Sequence, residues 1–213
     1  MARIAIIGGH GKVALHLERM LAARGDEVDA VIRNGGHSAE VAATGARPVV
    51  ADVETLDVDG LVELLAGHDA VVWSAGAGGG NPDRTYAVDR DAAIRAMEAA
   101  RLAGVTRFVM VSYFGSAIDH GVPATEPFFA YAQAKAAADE HLRQTDLDYT
   151  ILGPSRLTDG PGTGGIDVSA TTSDTVDRAD VAAVVAAVLL EPNTVGRTIR
   201  FNGGGSPIAE AIR

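Results

Sequence analysis

Apolar positions fall in short unbroken runs set off by glycines and polar turns. Ile4-Ala5-Ile6-Ile7 is the first. A run apolar on both faces predicts a strand inside a parallel sheet. Further strands are expected over Glu27–Ile32, Pro48–Asp52, Asp69–Ser74, Arg107–Ser112, Asp148–Leu152 and Gly196–Asn202. Between them the period changes. Val13, Leu17, Met20 and Leu21 recur at helical spacing, which marks one buried helix face. Helices are also expected within Asn81–Gly104, with Ile94 and Met97 inward, over Phe128–Glu140, and over Arg178–Leu190. Strands alternating with helices predict an α/β fold, doubly wound around a mainly parallel sheet. From Leu157 to Asp177 the pattern dissolves into Gly, Thr, Asp and Ser. Residues 155–177 are therefore expected to form a small, loop-rich substrate-side lid with one short strand. Past Gly203 a turn and a short tail helix follow.

The first strand runs straight into Gly8-x-x-Gly11-x-x-Ala14. Strand, glycine turn and helix together are the setting in which such spacing signals dinucleotide binding. Gly8 would make the tight turn, Gly11 would let backbone approach a pyrophosphate, and Ala14 would let the helix lie close. The helix start offers free N–H groups and partial positive charge to the phosphates, so His10, Lys12 and Val13 are expected beside the cofactor. The same spacing also fits an ordinary strand-to-helix turn. Asp29 is not a ribose-binding acid on this reading. It lies mid-strand, about 13 Å short of the ligand end at ~3.3 Å per residue. Arg33 stands at that end, and a guanidinium there suits a 2′-phosphate. NADP(H) is thus expected in preference to NAD(H); a solvated surface arginine is the other reading. Asp52 could accept from an adenine amino group, with Val53 beside the ring, or could cap a turn. Ser74, Ala75 and Gly76 open a small-residue loop against which a cofactor can lie flat.

Composition narrows the picture. The chain has 213 residues and 47% hydrophobic content, enough for one domain over residues 1–213. It has no cysteine, which removes disulfide and thiol chemistry. The formal charge of −10 argues against a nucleic-acid partner. No apolar run reaches membrane-spanning length, and Arg3 with the early glycine turn interrupts any secretory signal. A cytoplasmic protein without membrane partner is expected, acting on an unidentified small molecule as monomer or homodimer. Its six histidines are scattered, so no metal site is expected.

Ser112 falls at the carboxyl end of the fifth strand. Tyr131 and Lys135, four apart on a helix, share one face. With the glycine turn in place, the chain resembles the short-chain dehydrogenase/reductase superfamily, and more closely its atypical NAD(P)H-binding members. The likeness runs through Arg33-Asn34, Val88-Asp89-Arg90-Asp91, Arg107-Phe108-Val109-Met110-Val111-Ser112, Leu147-Asp148-Tyr149-Thr150-Ile151 and Arg178-Ala179-Asp180-Val181. It implies a Rossmann-like sheet and a nicotinamide dinucleotide. It implies Tyr131 as general acid/base, Lys135 as ribose ligand and acidifier of that tyrosine, and Ser112 as orienter of a substrate carbonyl. Pro154 and Ser155 would lie near the cofactor. Two positions depart from the family pattern. Asp89 stands where a catalytic Asn is frequent, and Gly153 precedes Pro154 where Arg is frequent. An ammonium about 4 Å from the phenol would stabilise the phenolate by ~4 kcal/mol at an effective dielectric near 20, lowering Tyr131. The expected activity is NADPH-dependent reduction of a small carbonyl, quinone-like or flavin-like acceptor. The alternative is a non-catalytic NADP(H)-binding redox sensor. Sugar-nucleotide epimerases share the motifs, but the chain is short for their substrate domain.

Overall fold

The computed structural model describes every residue except Gly79, so one position of the small-residue loop expected after the fourth strand lies outside the described residues. In chain order the elements begin β1 (Arg3–Ile7), α1 (Lys12–Arg24), β2 (Glu27–Ile32), α2 (Ser38–Ala42), β3 (Arg47–Val50), α3 (Val58–Leu65) and β4 (Ala70–Trp73). Then come α4 (Pro82–Thr85), α5 (Ala93–Leu102), β5 (Arg107–Val111), α6 (Phe129–Arg143) and β6 (Asp148–Pro154). The chain closes with β7 (Arg156–Thr158), β8 (Gly165–Asp167), β9 (Thr175–Asp177), α7 (Arg178–Val188), β10 (Arg197–Gly203), β11 (Ser206–Pro207) and α8 (Ile208–Ala211).

The main sheet runs β11-β8-β10-β6-β5-β4-β1-β2-β3. From β3 to β10 every pairing is parallel, while β8 and β11 add antiparallel strands at one edge. This is a Rossmann-like doubly wound sheet, and its strand order reverses between β1 and β4. A crevice opens at the strand ends there, the usual ligand side. Side-chain alternation explains the two layers. Ile4 and Ile6 pack with Leu17, Leu21, Val184 and Val185 on one face. Ala5 and Ile7 pack with Leu61, Leu65, Met97 and Phe108 on the other. Each fully buried Leu or Ile stabilises by about 1.5–3 kcal/mol, so both faces of the central strands are committed. The two edge strands are short: β3 carries Pro48 and leaves Val50 exposed, and β11 is two residues ending in Pro207.

The helix ends follow local chemistry. α1 stops at Gly25, whose left-handed φ of 89° lets its N–H and that of Asp26 cap the last turn. Asp57 caps α3 by accepting from Gly60 N, and neither α2 nor α3 was expected from the pattern. The expected helix over Asn81–Gly104 is continuous in direction but holds a wide π-type stretch, Tyr86–Ala92, between α4 and α5. β3 ends at Val50, so Asp52 lies in a turn, accepting from Glu54 N.

The region over 155–177 is more ordered than one short strand. β7 pairs with β9, and β8 joins the main sheet. Two acids at the start of α7 hold the intervening loop. Asp177 accepts from Thr158 Oγ1 and from the N–H groups of Gly160 and Gly162. Asp180 accepts from Thr163 N and Gly164 N at 3.0 and 2.8 Å. Among the described residues no helix is long and apolar enough to cross a membrane.

Candidate active site

A groove of about 290 Å³ opens at the ends of β1, β2 and β4. Gly8, His10, Gly11, Arg33, Asp52 and Val53 line it, with Ser74, Ala75 and Gly76 on the opposite wall. Gly8 has φ +93°, and a Cβ there would lie 2.6 Å from Ala75 Cα. The turn and the β4 loop therefore touch through bare backbone. Gly11 stands at the N-cap of α1 with no side-chain cap, leaving the first N–H groups of the helix without such a partner.

Arg33 is exposed, and its guanidinium is 3.7 Å from Glu54 Oε2. Glu54 also accepts from Arg84 Nε at 3.2 Å. His10 stacks on His37 at 3.6 Å and lies 2.8 Å from Glu40 Oε2. His37, Glu54 and Arg84 line the groove and were not anticipated. Asn34-Gly35-Gly36 signals the turn that carries His37, whereas nothing local marks Arg84. Asp29, set aside as mid-strand, bonds to Arg3, Arg47 and His68. Burial opposes its ionisation, but those partners outweigh it and hold the carboxyl well below the usual range.

The side chains of two residues expected beside the cofactor lead away from the groove. Lys12 Nζ reaches across to Asp159 Oδ2 at 2.8 Å, and Asp159 also pairs with Arg178. The Val13 side chain is buried in the core. Both positions face what α1 packs against, which a motif read along the chain does not reveal.

A second, larger cavity of about 660 Å³ opens beside the ends of β5 and β6. It gathers Ser112, Tyr131, Pro154 and Ser155 from three elements. Pro154 and Ser155, expected at the cofactor, line this cavity because β6 extends to Pro154 and carries them past β5. Ser112 Oγ donates to Asp139 Oδ2 at 2.5 Å, and Ser116 Oγ does the same. The proton of Ser112 is therefore committed, and toward a ligand its hydroxyl can act only as an acceptor. Asp139 lies two turns beyond Tyr131 on α6, at the i+8 position of a pattern legible in the sequence.

Lys135 is buried and donates to the Val111 carbonyl at 2.8 Å. Desolvation lowers its basicity, while Asp139 and Asp89 pull it back. The expected acidification of Tyr131 does not occur in this arrangement. Burial, and then the nearby Asp89 and Asp139 carboxyls, push the phenol above its ordinary range. The lysine's charge is spent on a carbonyl and two acids. Asp89 sits on the π-type stretch and accepts from Ala77 N at 2.9 Å, while its Oδ1 is buried without a partner among the described residues. Desolvation raises its carboxyl, opposed by Lys135, the Ala77 N–H and Arg84. A Cβ on Gly76, in the groove wall, would come within 3.2 Å of that oxygen.

These features fit a dinucleotide. An uncapped helix start lies at the glycine turn, a guanidinium at the β2 end, and an unsatisfied acid oxygen beside the groove wall. A family model described as NAD(P)H-binding matches residues 8–192. An uncharacterized sugar epimerase of Bacillus subtilis is 34% identical, over 99% of this chain and 99% of its own. A Bacillus halodurans structure named for NAD-dependent epimerase/dehydratase chemistry superposes with a TM-score of 0.90 at 33% identity, covering 100% of this chain and 99% of that one. An oxidoreductase of Lactococcus lactis superposes with a TM-score of 0.86 at 28% identity, covering 99% and 94%.

Proposed function

The chain belongs to the NAD(P)H-binding family, and from that premise we propose that it is an NADPH-dependent reductase of a small carbonyl, quinone-like or flavin-like acceptor. One observation carries the reading. The groove at the ends of β1 and β4 and the cavity at the ends of β5 and β6 sit on adjoining strands, and Tyr131 lines the cavity. When bound, the nicotinamide supplies the hydride. The start of α1 and the Gly8–Gly11 backbone hold the pyrophosphate. Arg33 holds the 2′-phosphate, leaving Glu54 for it, which gives the preference for NADP(H) over NAD(H). Asp52 and Val53 flank the adenine. Tyr131 keeps its proton at working pH and gives it to the acceptor atom beside it, so hydride and proton together complete a two-electron reduction. Lys135, fixed on the Val111 carbonyl, positions α6 and the tyrosine.

The name of the Lactococcus protein agrees with this reading; the name of the Bacillus subtilis relative points to sugar epimerisation. A tyrosine held neutral by its surroundings lacks the phenolate with which alcohol oxidation begins. The test is NADPH oxidation with carbonyl, quinone and flavin acceptors. Tyr131→Phe is expected to keep NADPH affinity and lose turnover by roughly 10²-fold or more. Wild-type turnover in that variant overturns the assignment of the proton donor.

A second reading has its own support. Lys135 and Ser112 are both tied to partners inside the protein, as suits an NADP(H) sensor that turns nothing over. NADPH binding without oxidation by any acceptor class would favour it.

A further inference from the structure

The chain has ten Phe, Tyr and Trp residues, and four of them line the second cavity. Tyr113 meets Phe128 edge-on at 5.3 Å and Tyr131 at 5.6 Å, and Phe128 meets Tyr131 at 5.2 Å. Three rings thus form one wall. Phe128 remains 46% exposed although large and apolar, so the wall is open on the side a ligand would cover. Val122 and Leu157 add aliphatic surface.

The polar lining is sparse and partly engaged, although the Tyr113 hydroxyl is buried without a partner among the described residues. Ser112 gives its proton to Asp139, and Ser155 is bonded to Asn202. A hexose needs donors and acceptors for several hydroxyls, and burying those groups unpaired costs roughly 1–3 kcal/mol each. The groups left over, the Tyr113 and Tyr131 hydroxyls and one His120 ring nitrogen, are too few for that. Charge adds a second constraint. No carboxylate side chain lines the cavity, although the chain carries a net −10. The charged side chain that does line it is Arg156, exposed and without an ion pair among the described residues.

We propose that this cavity binds a flat conjugated ring bearing an acidic group, with the ring on the Tyr113–Phe128–Tyr131 wall and the acid on Arg156, and that it does not bind a sugar nucleotide. The proposal rests on the reductase reading for the role of the ligand as acceptor. Aromatic faces favour stacked or edge-on rings over hydroxyl-rich surfaces, and a guanidinium pairs with carboxylate or phosphate through two parallel bonds.

The experiment uses flavin mononucleotide, riboflavin and UDP-glucose as probes, with the protein saturated in NADP⁺ so that the first groove is filled and no reduction occurs. Binding is read by quenching of flavin fluorescence. Flavin mononucleotide is expected to bind at least tenfold tighter than riboflavin. Arg156→Ala should bring it down to the riboflavin level and leave riboflavin unchanged. Phe128→Ala should weaken both about tenfold, with NADP⁺ affinity retained as the check on folding. UDP-glucose should displace neither. Displacement by UDP-glucose, absence of flavin binding, or equal flavin affinities untouched by Arg156→Ala overturns the proposal. Turnover is scored separately with NADPH. Flavin that binds as stated but is not reduced sinks the reductase reading and leaves the ligand class standing. Reduction of another acceptor by a protein that binds no flavin does the reverse.

Discussion

Glu18 lies on α1 with no exposed surface, its Oε2 accepting from Thr44 Oγ1 at 2.9 Å and its Oε1 without a partner among the described residues. Burial is the dominant influence; the Thr44 bond and the Arg19 charge oppose it, and the carboxyl is pushed up from 4.5 to about 7. A carboxyl raised in the folded state binds its proton more tightly there than in the unfolded chain. Its contribution to stability is complete below the unfolded value and is lost as pH rises through the folded one. At 1.36 kcal/mol per unit, the loss across that window is about 3 kcal/mol. Glu18→Gln removes the titration while keeping a carbonyl to accept from Thr44. Urea unfolding of both proteins near pH 5 and near pH 8 measures the difference. The variant's stability relative to wild type is expected to grow by about 2–3 kcal/mol over that interval. A difference that stays constant with pH, or shrinks, would show that Glu18 is solvated or partnered, and would refute the reasoning.

Gly8→Ala places a Cβ 2.6 Å from Ala75 at φ +93°; a loss of at least about 2 kcal/mol in thermal or urea unfolding is expected, and an unchanged midpoint would contradict the close approach. Arg33→Ala should lower NADPH affinity at least tenfold and leave NADH within about twofold, since two charge-assisted bonds contribute ~1.5–3 kcal/mol each; parallel losses for both cofactors in a titration would remove the 2′-phosphate assignment. Asp180→Ala strips acceptors from Thr163 N and Gly164 N, and hydrogen exchange at those amides should accelerate about tenfold or more. Unaltered exchange would mean the loop is held by other contacts.

What could be read along the chain was whatever repeats locally. Ile4-Ala5-Ile6-Ile7 and the Val13–Leu21 stripe declare a buried strand and the helix after it, because burial on two faces and on one stripe leave different periods. Gly8 was legible because only a residue without Cβ tolerates that turn. α3 escaped because its eight residues are fixed by Asp57 and by packing of Leu61 and Leu65 rather than by a long period. The strands within 155–177 escaped for a related reason: they are three residues each, held by acids at the start of α7 up to 19 positions away. At the site, spacing placed Tyr131 and Lys135 on one helix but said nothing of what Lys135 would touch. The Val111 carbonyl that holds Lys135 comes from β5, and burial of Tyr131, with Asp89 of the π-type stretch and Asp139 of α6 beside it, reversed the direction of the expected shift.

The two ends of the sheet have a bearing on how copies of this chain can meet. An open strand edge is a template for further strands, and proteins blunt it with brevity and proline. Here β3 offers four residues and includes Pro48, while β11 offers two and ends in Pro207. Proline has no N–H to give to a ladder, so neither edge can recruit a neighbour over more than a residue or two. Growth by strand addition, the route to fibres, is closed at both ends.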